Sequence, residues 1–97
     1  MSDLHLMSLT GNSLNSAIST YTDRCVLLLQ RAFQRDIDTQ QAFRVWIDDE
    51  FHQTKSPAVL LHDDPIYTVA RYLGIPRLNI DSAVIRRAAK LAKEQHW

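Results

Sequence analysis

The apolar positions of this chain recur at helical intervals. Leu14, Ile18, Tyr21, Cys25, Leu28 and Ala32 follow one another at 4-3-4-3-4 spacing. That spacing keeps six side chains on one seam of a helix. The pattern predicts a long first helix, capped by Asn12 or Ser13 and running to about Arg35. A second stripe, Val26, Leu29 and Phe33, lies beside the first, so the C-terminal half of this helix is apolar over a wide arc. Taken alone, "CVLLL" would also suit a strand, but its setting in a long 3.6-residue pattern makes it helical. After the polar break "RDIDTQQ", Phe43, Trp46, Ile47 and Phe51 form the apolar face of a second helix, predicted from about Thr39 to about Gln53 with Asp38 as its cap.

The stretch "LLHDDPIYTVARYLGIP" (60–76) is the most patterned in the chain. Ser56-Pro57 opens a single turn through Leu61, with proline at the first helical position. Asp64-Pro65 repeats that signal. Ile66, Val69, Ala70 and Leu73 then occupy i, i+3, i+4 and i+7, and Gly74 and Pro76 end the helix. A last helix, capped by Asn79 or Asp81, is predicted to about Gln95. Val84, Ile85, Ala88, Ala89, Leu91 and Ala92 fall on one side, and Arg86, Arg87, Lys90 and Lys93 fall within about 120° on the other. The fold class expected is therefore all-α, a small bundle of four to five helices. Its long first helix packs antiparallel on the second, and a short capped helix pair closes the C-terminal end. Residues 1–97 make one domain, with an irregular N-terminal arm over 1–12 in which Leu4, Leu6 and Leu9 are placed to pack on the body.

Composition agrees with that reading. Two glycines and three prolines in 97 residues are too few for the turns of an all-β fold. Formal net charge is zero, so bulk charge points neither to nucleic acid nor to a membrane. Its distribution says more: residues 1–64 hold five Lys/Arg and nine Asp/Glu, a net of −4, and residues 65–97 hold six and two, a net of +4. The asymmetry fits a polar partner surface, or two halves that attract each other. One cysteine excludes an intrachain disulfide and most thiolate metal sites. The start of the chain lacks a basic n-region and an apolar h-region, and no apolar run approaches the ~20 residues of a membrane span. A cytoplasmic location is expected.

Candidate chemistry is sparse. The pair His62-Asp63 invites comparison with metal-dependent phosphohydrolases of the HD type, with His52 and Asp81 as the further ligands. Here the pair stands at a helix start, where that family carries it within a helix, and the expectation is a cap with no transition metal and no cofactor. Asp48, Asp49 and Glu50 oppose the dipole at the end of the second helix, a placement that suits either a solvated face or a basic partner. Cys25 sits in an apolar seam and reads as core. With only Gly11 and Gly74, no phosphate-cradling loop or nucleophile elbow exists, and no catalytic residue is assigned.

Two functional readings remain. The first is a non-enzymatic regulatory or adaptor protein that acts through protein–protein contacts, as a homodimer. One neighbouring helix covers one seam, so the second stripe of the first helix predicts a two-fold contact with Val26, Leu29 and Phe33 near its axis. The alternative is a small DNA-binding regulator, in which 65–95 forms a helix-turn-helix-like pair and Arg86, Arg87, Lys90 and Lys93 face nucleic acid or an acidic partner. Tyr67, Tyr72 and Trp97 are candidate exposed aromatics of the kind enriched at interfaces, although a terminal tryptophan also suits a core plug.

Overall fold

In a computed structural model the described residues, 12–97, form five α-helices and no strand. The arm ahead of them, with Leu4, Leu6 and Leu9, lies outside the described residues. α1 (Asn12–Leu27) already contains Asn12 and Ser13, so the position of its cap also falls outside them. α1 does not continue as an α-helix to Arg35. It widens at Leu28–Ala32 into a π turn, in which the Phe33 N–H donates to the Leu28 carbonyl at 2.9 Å. Gln34, in left-handed backbone at φ 56°, ends it.

α2 (Ile37–Gln53) starts two residues earlier than expected. Its cap is Asp36, not Asp38: the Asp36 carboxylate accepts from the Thr39 N–H at 2.9 Å. That hydrogen bond holds the Asp36 carboxyl below its ordinary pKa. Gln40 Nε2 reaches back to the Arg35 carbonyl at 3.0 Å, so the polar break is itself tied down. α3 (Pro57–Leu61) is a single turn. α4 (Pro65–Leu73) begins and ends where the sequence places it, with Asp64 accepting from the Ile66 N–H at 3.1 Å and Gly74 at φ 75°. A 3₁₀ turn (Arg77–Asn79) leads to α5 (Ser82–Glu94), capped by Asp81 through the Ala83 N–H at 2.7 Å.

The long first helix packs antiparallel on the second. Tyr21 meets Phe51 edge-on at 6.0 Å, and further along α1 Asp23 pairs with Arg44 at 3.2 Å. α4 also packs on α1, and α5 packs chiefly on the π turn. That turn is therefore covered from three sides, by α2, α4 and α5. This coverage corrects the expected dimer face. Leu29 is fully buried within the single chain, with Phe33 8% and Val26 9% exposed, so the second stripe is core and offers no surface for a two-fold axis. The premise failed because three helices, not one, converge on the C-terminal end of α1.

Candidate functional site

The polar groups buried in the core have structural partners. The Tyr21 hydroxyl lies 2.6 Å from Thr68 Oγ1 and donates toward the Asp63 carbonyl at 3.2 Å, tying α1 to the start of α4. Burial pushes the Tyr21 phenol up to about 12, against the opposing effect of the Thr68 hydrogen bond. Cys25 is buried among the same helices, and burial raises its thiol further. A thiol held protonated in an apolar seam is no nucleophile.

The His-Asp pair lies in the turn between α3 and α4. Asp63 accepts from Arg77 Nη2 at 3.0 Å, and His62 is exposed. His52, the residue considered as a further ligand, contacts the Asp48 carbonyl of its own helix at 2.8 Å, which raises its pKa above the ordinary histidine value. Among the described residues no three His, Cys, Asp or Glu side chains converge as a metal-holding group. The acidic run at the end of α2 is engaged locally. Glu50 pairs with Arg71 at 2.7 Å, Asp49 accepts from Gln53 at 3.1 Å, and Asp48 faces His52. An open hollow of about 490 Å³ beside it is lined by Glu50, Thr54, Leu60, His62, Asp63 and Arg71. Of its four ionisable groups, three already have ion-pair partners within the chain.

α5 is the less satisfied element. Val84, Arg87 and Leu91 face inward, and Leu91 is buried. Arg87 is not part of a free basic face. Its Nε–H donates to the Ala32 carbonyl at 2.8 Å, closing an acceptor at the end of the π turn. Its position in sequence carried the signal, since Arg87 stands within about 60° of Val84 and Leu91 at roughly 100° per residue. Arg86, Lys90 and Lys93 are exposed and have no ion-pair partner among the described residues. They fall within about 60° on one flank.

Next to that flank runs a second apolar strip of α5: Ile85, Ala88, Ala89 and Ala92. Ile85 is 43% exposed and Ala89 is exposed. The strip forms one wall of a groove of about 280 Å³. Pro65, Ile66 and Tyr67 at the start of α4 form the other wall, Leu28 lines the groove between them, and Trp97 closes one end. Trp97 is 37% exposed, with the Arg24 guanidinium 5.5 Å from its ring.

The aromatic expectation thus divides. Trp97 remains open to solvent. Tyr72 is packed on Phe43 at 5.2 Å and Trp46 at 5.1 Å, and Tyr67 lies under Arg77 at 4.2 Å, both half-buried. α4 is covered on two sides, by α1 and by the aromatic residues of α2, which a one-face pattern does not convey. The chain matches no family model, no curated protein and no solved structure. No helix among the described residues is long and apolar enough to cross a membrane.

Proposed function

We propose that this chain is a non-enzymatic contact module that binds a protein partner through the α4–α5 groove. The observation that carries the reading is the second apolar strip of α5, which ends in solvent at Ile85 and Ala89 beside the exposed ring of Trp97. Interfaces are built on such features: an apolar centre containing an aromatic residue, with a polar rim. The buried titratable groups are engaged in holding helices together, as Tyr21 does for α1 and α4. That division of labour fits a scaffold that presents a surface.

The unpaired flank Arg86, Lys90 and Lys93 also favours a second reading, nucleic-acid binding. Three features count against it. Arg87 is committed to the Ala32 carbonyl. α5 rests chiefly on the π turn. Eight residues, 74–81, separate α4 from α5, against the ~3–4 of a helix-turn-helix.

Photo-crosslinking tests the contact reading. A photoreactive residue at position 85, in the chain expressed in its native host, should give a discrete, saturable protein adduct. The same residue at exposed Lys55 should not. Diffuse labelling from both positions would refute the reading, and an adduct dominated by nucleic acid would replace it with the second one.

A further inference from the structure

We propose that the occupant of the α4–α5 groove is an amphipathic helix with an acidic flank, which lies along α5 with its carboxylates beside Arg86, Lys90 and Lys93. The proposal rests on the contact-module reading and specifies its partner.

The groove sets the shape of the occupant. From Ile85 to Ala92 the strip is about 10 Å long at 1.5 Å per residue, and Trp97, past the end of α5, adds an aromatic ring to the lining. That length suits two to three turns of a helix. The side chains along it at positions 88, 89 and 92 are alanines, so a helix axis approaches toward the near end of the ~8–10 Å range of packed helices. The space of about 280 Å³ between Leu28, Ile66, Tyr67 and Ile85 then receives a large apolar side chain.

Charge sets the chemistry of the flank. Four arginines outside α5 have ion-pair partners within the chain: Arg31 with Glu94, Arg44 with Asp23, Arg71 with Glu50 and Arg77 with Asp63. Arg86, Lys90 and Lys93 stand together without such partners among the described residues. The opposite wall contributes one carboxylate, Asp64, which caps α4 through the Ile66 N–H. The apolar α5 wall is thus bordered by three cations, whereas the α4 wall has one carboxylate in its lining. An occupant with acidic residues on the α5 side alone matches both, and the asymmetry fixes which edge of the occupant faces α5. A second copy of this chain does not match. Isologous pairing through α5 would bring Arg86, Lys90 and Lys93 of one copy toward their own equivalents, which like-charge repulsion disfavours.

The test uses fluorescein-labelled synthetic helical peptides of about fourteen residues with leucine at i, i+3, i+4 and i+7. One carries glutamate along one flank, and a control carries lysine at the same positions. A labelled DNA duplex is the third probe. Fluorescence anisotropy should show saturable binding of the glutamate peptide and at least tenfold weaker binding of the lysine peptide. The double variant Arg86→Glu/Lys93→Glu should reverse that preference, and Lys55→Glu should leave it unchanged. Ile85→Asp should reduce binding of the glutamate peptide at least tenfold. Circular dichroism checks that each variant is folded; if Ile85→Asp unfolds, the charge-reversal pair at exposed positions still decides the matter. Equal binding of both peptides, or of neither, overturns the proposal. Binding of the duplex alone, lost on charge reversal, assigns the flank to nucleic acid. A dimer mass in light scattering that Ile85→Asp converts to a monomer assigns the groove to a second copy. If neither peptide binds while position 85 still gives a discrete protein adduct, the acidic helix is wrong and the contact module stands.

Discussion

The Tyr21–Thr68 pair is the polar contact on which the seating of α4 depends, and its removal should be costly in a specific way. Tyr21→Phe deletes the 2.6 Å contact to Thr68 Oγ1 and the 3.2 Å bond to the Asp63 carbonyl. Two neutral hydrogen bonds contribute about 1–3 kcal/mol together. Thr68 is fully buried, so its orphaned hydroxyl adds part of a desolvation penalty of about 1–3 kcal/mol. A total near 2–3 kcal/mol follows, or a fall in Tm of roughly 10–20 °C for a domain of this size. Thr68→Val should cost about 1–2 kcal/mol, because Tyr21 keeps the Asp63 carbonyl. Tyr21→Phe/Thr68→Val leaves no orphaned hydroxyl, so the double variant should be more stable than the sum of the singles predicts, by about 1–2 kcal/mol. Urea unfolding at pH 7, followed by far-UV circular dichroism, measures all four corners of this cycle. The pair also predicts an alkaline signature. The folded phenol is raised to about 12 from 10.0, so the folded state holds its proton more tightly than the unfolded state. That stabilisation is complete below pH 10 and is lost as pH rises toward 12. Tyr21→Phe should flatten this decline. A coupling below about 0.3 kcal/mol, with an unchanged alkaline slope, would refute the reasoning.

Asp64→Ala removes the α4 cap and should cost about 1 kcal/mol in the same unfolding assay. Leu29→Glu places a charge in the core of one chain and should lower helicity at every concentration; a folded monomer formed from a wild-type dimer would show that Leu29 faces a partner instead. Arg87→Ala orphans the Ala32 carbonyl and should cost about 1–3 kcal/mol, whereas Arg86→Ala should change stability by less than about 0.5 kcal/mol. Equal effects of the two would mean that Arg87 is as free as Arg86.

Local punctuation makes α4 legible in the sequence: Asp64, Pro65, Gly74 and Pro76 each fix backbone geometry within a few residues. The same holds for Ser56-Pro57 and Asp81. The cap of α2 was misplaced because "RDIDTQ" offers two aspartates two residues apart, and the choice of Asp36 depends on how Gln34 turns the chain out of α1. The π turn had no local signature, since widening a helix by one residue follows from the packing of Leu28, Leu29 and Phe33 against three neighbours. The dimer stripe was misread for a related reason: periodicity shows that Val26, Leu29 and Phe33 are to be buried, and not which chain buries them. Of the basic residues named from sequence, Arg87 is tied to the Ala32 carbonyl, and Arg86, Lys90 and Lys93 have no ion-pair partner among the described residues. The groove beside them was invisible, because it joins Tyr67, Ile85 and Trp97 across three parts of the chain.

The central claim, that binding runs through the α4–α5 groove, is tested most directly by comparing three exposed apolar residues. Ile85, Val45 and Val59 are 43%, 74% and 69% exposed, and aspartate at any of them should leave the fold intact. Each variant would be purified from its native host, and the co-purifying protein quantified against wild type. The account predicts that Ile85→Asp loses the partner at least tenfold while Val45→Asp and Val59→Asp retain it. Retention by Ile85→Asp, with loss in either of the other two, would contradict it.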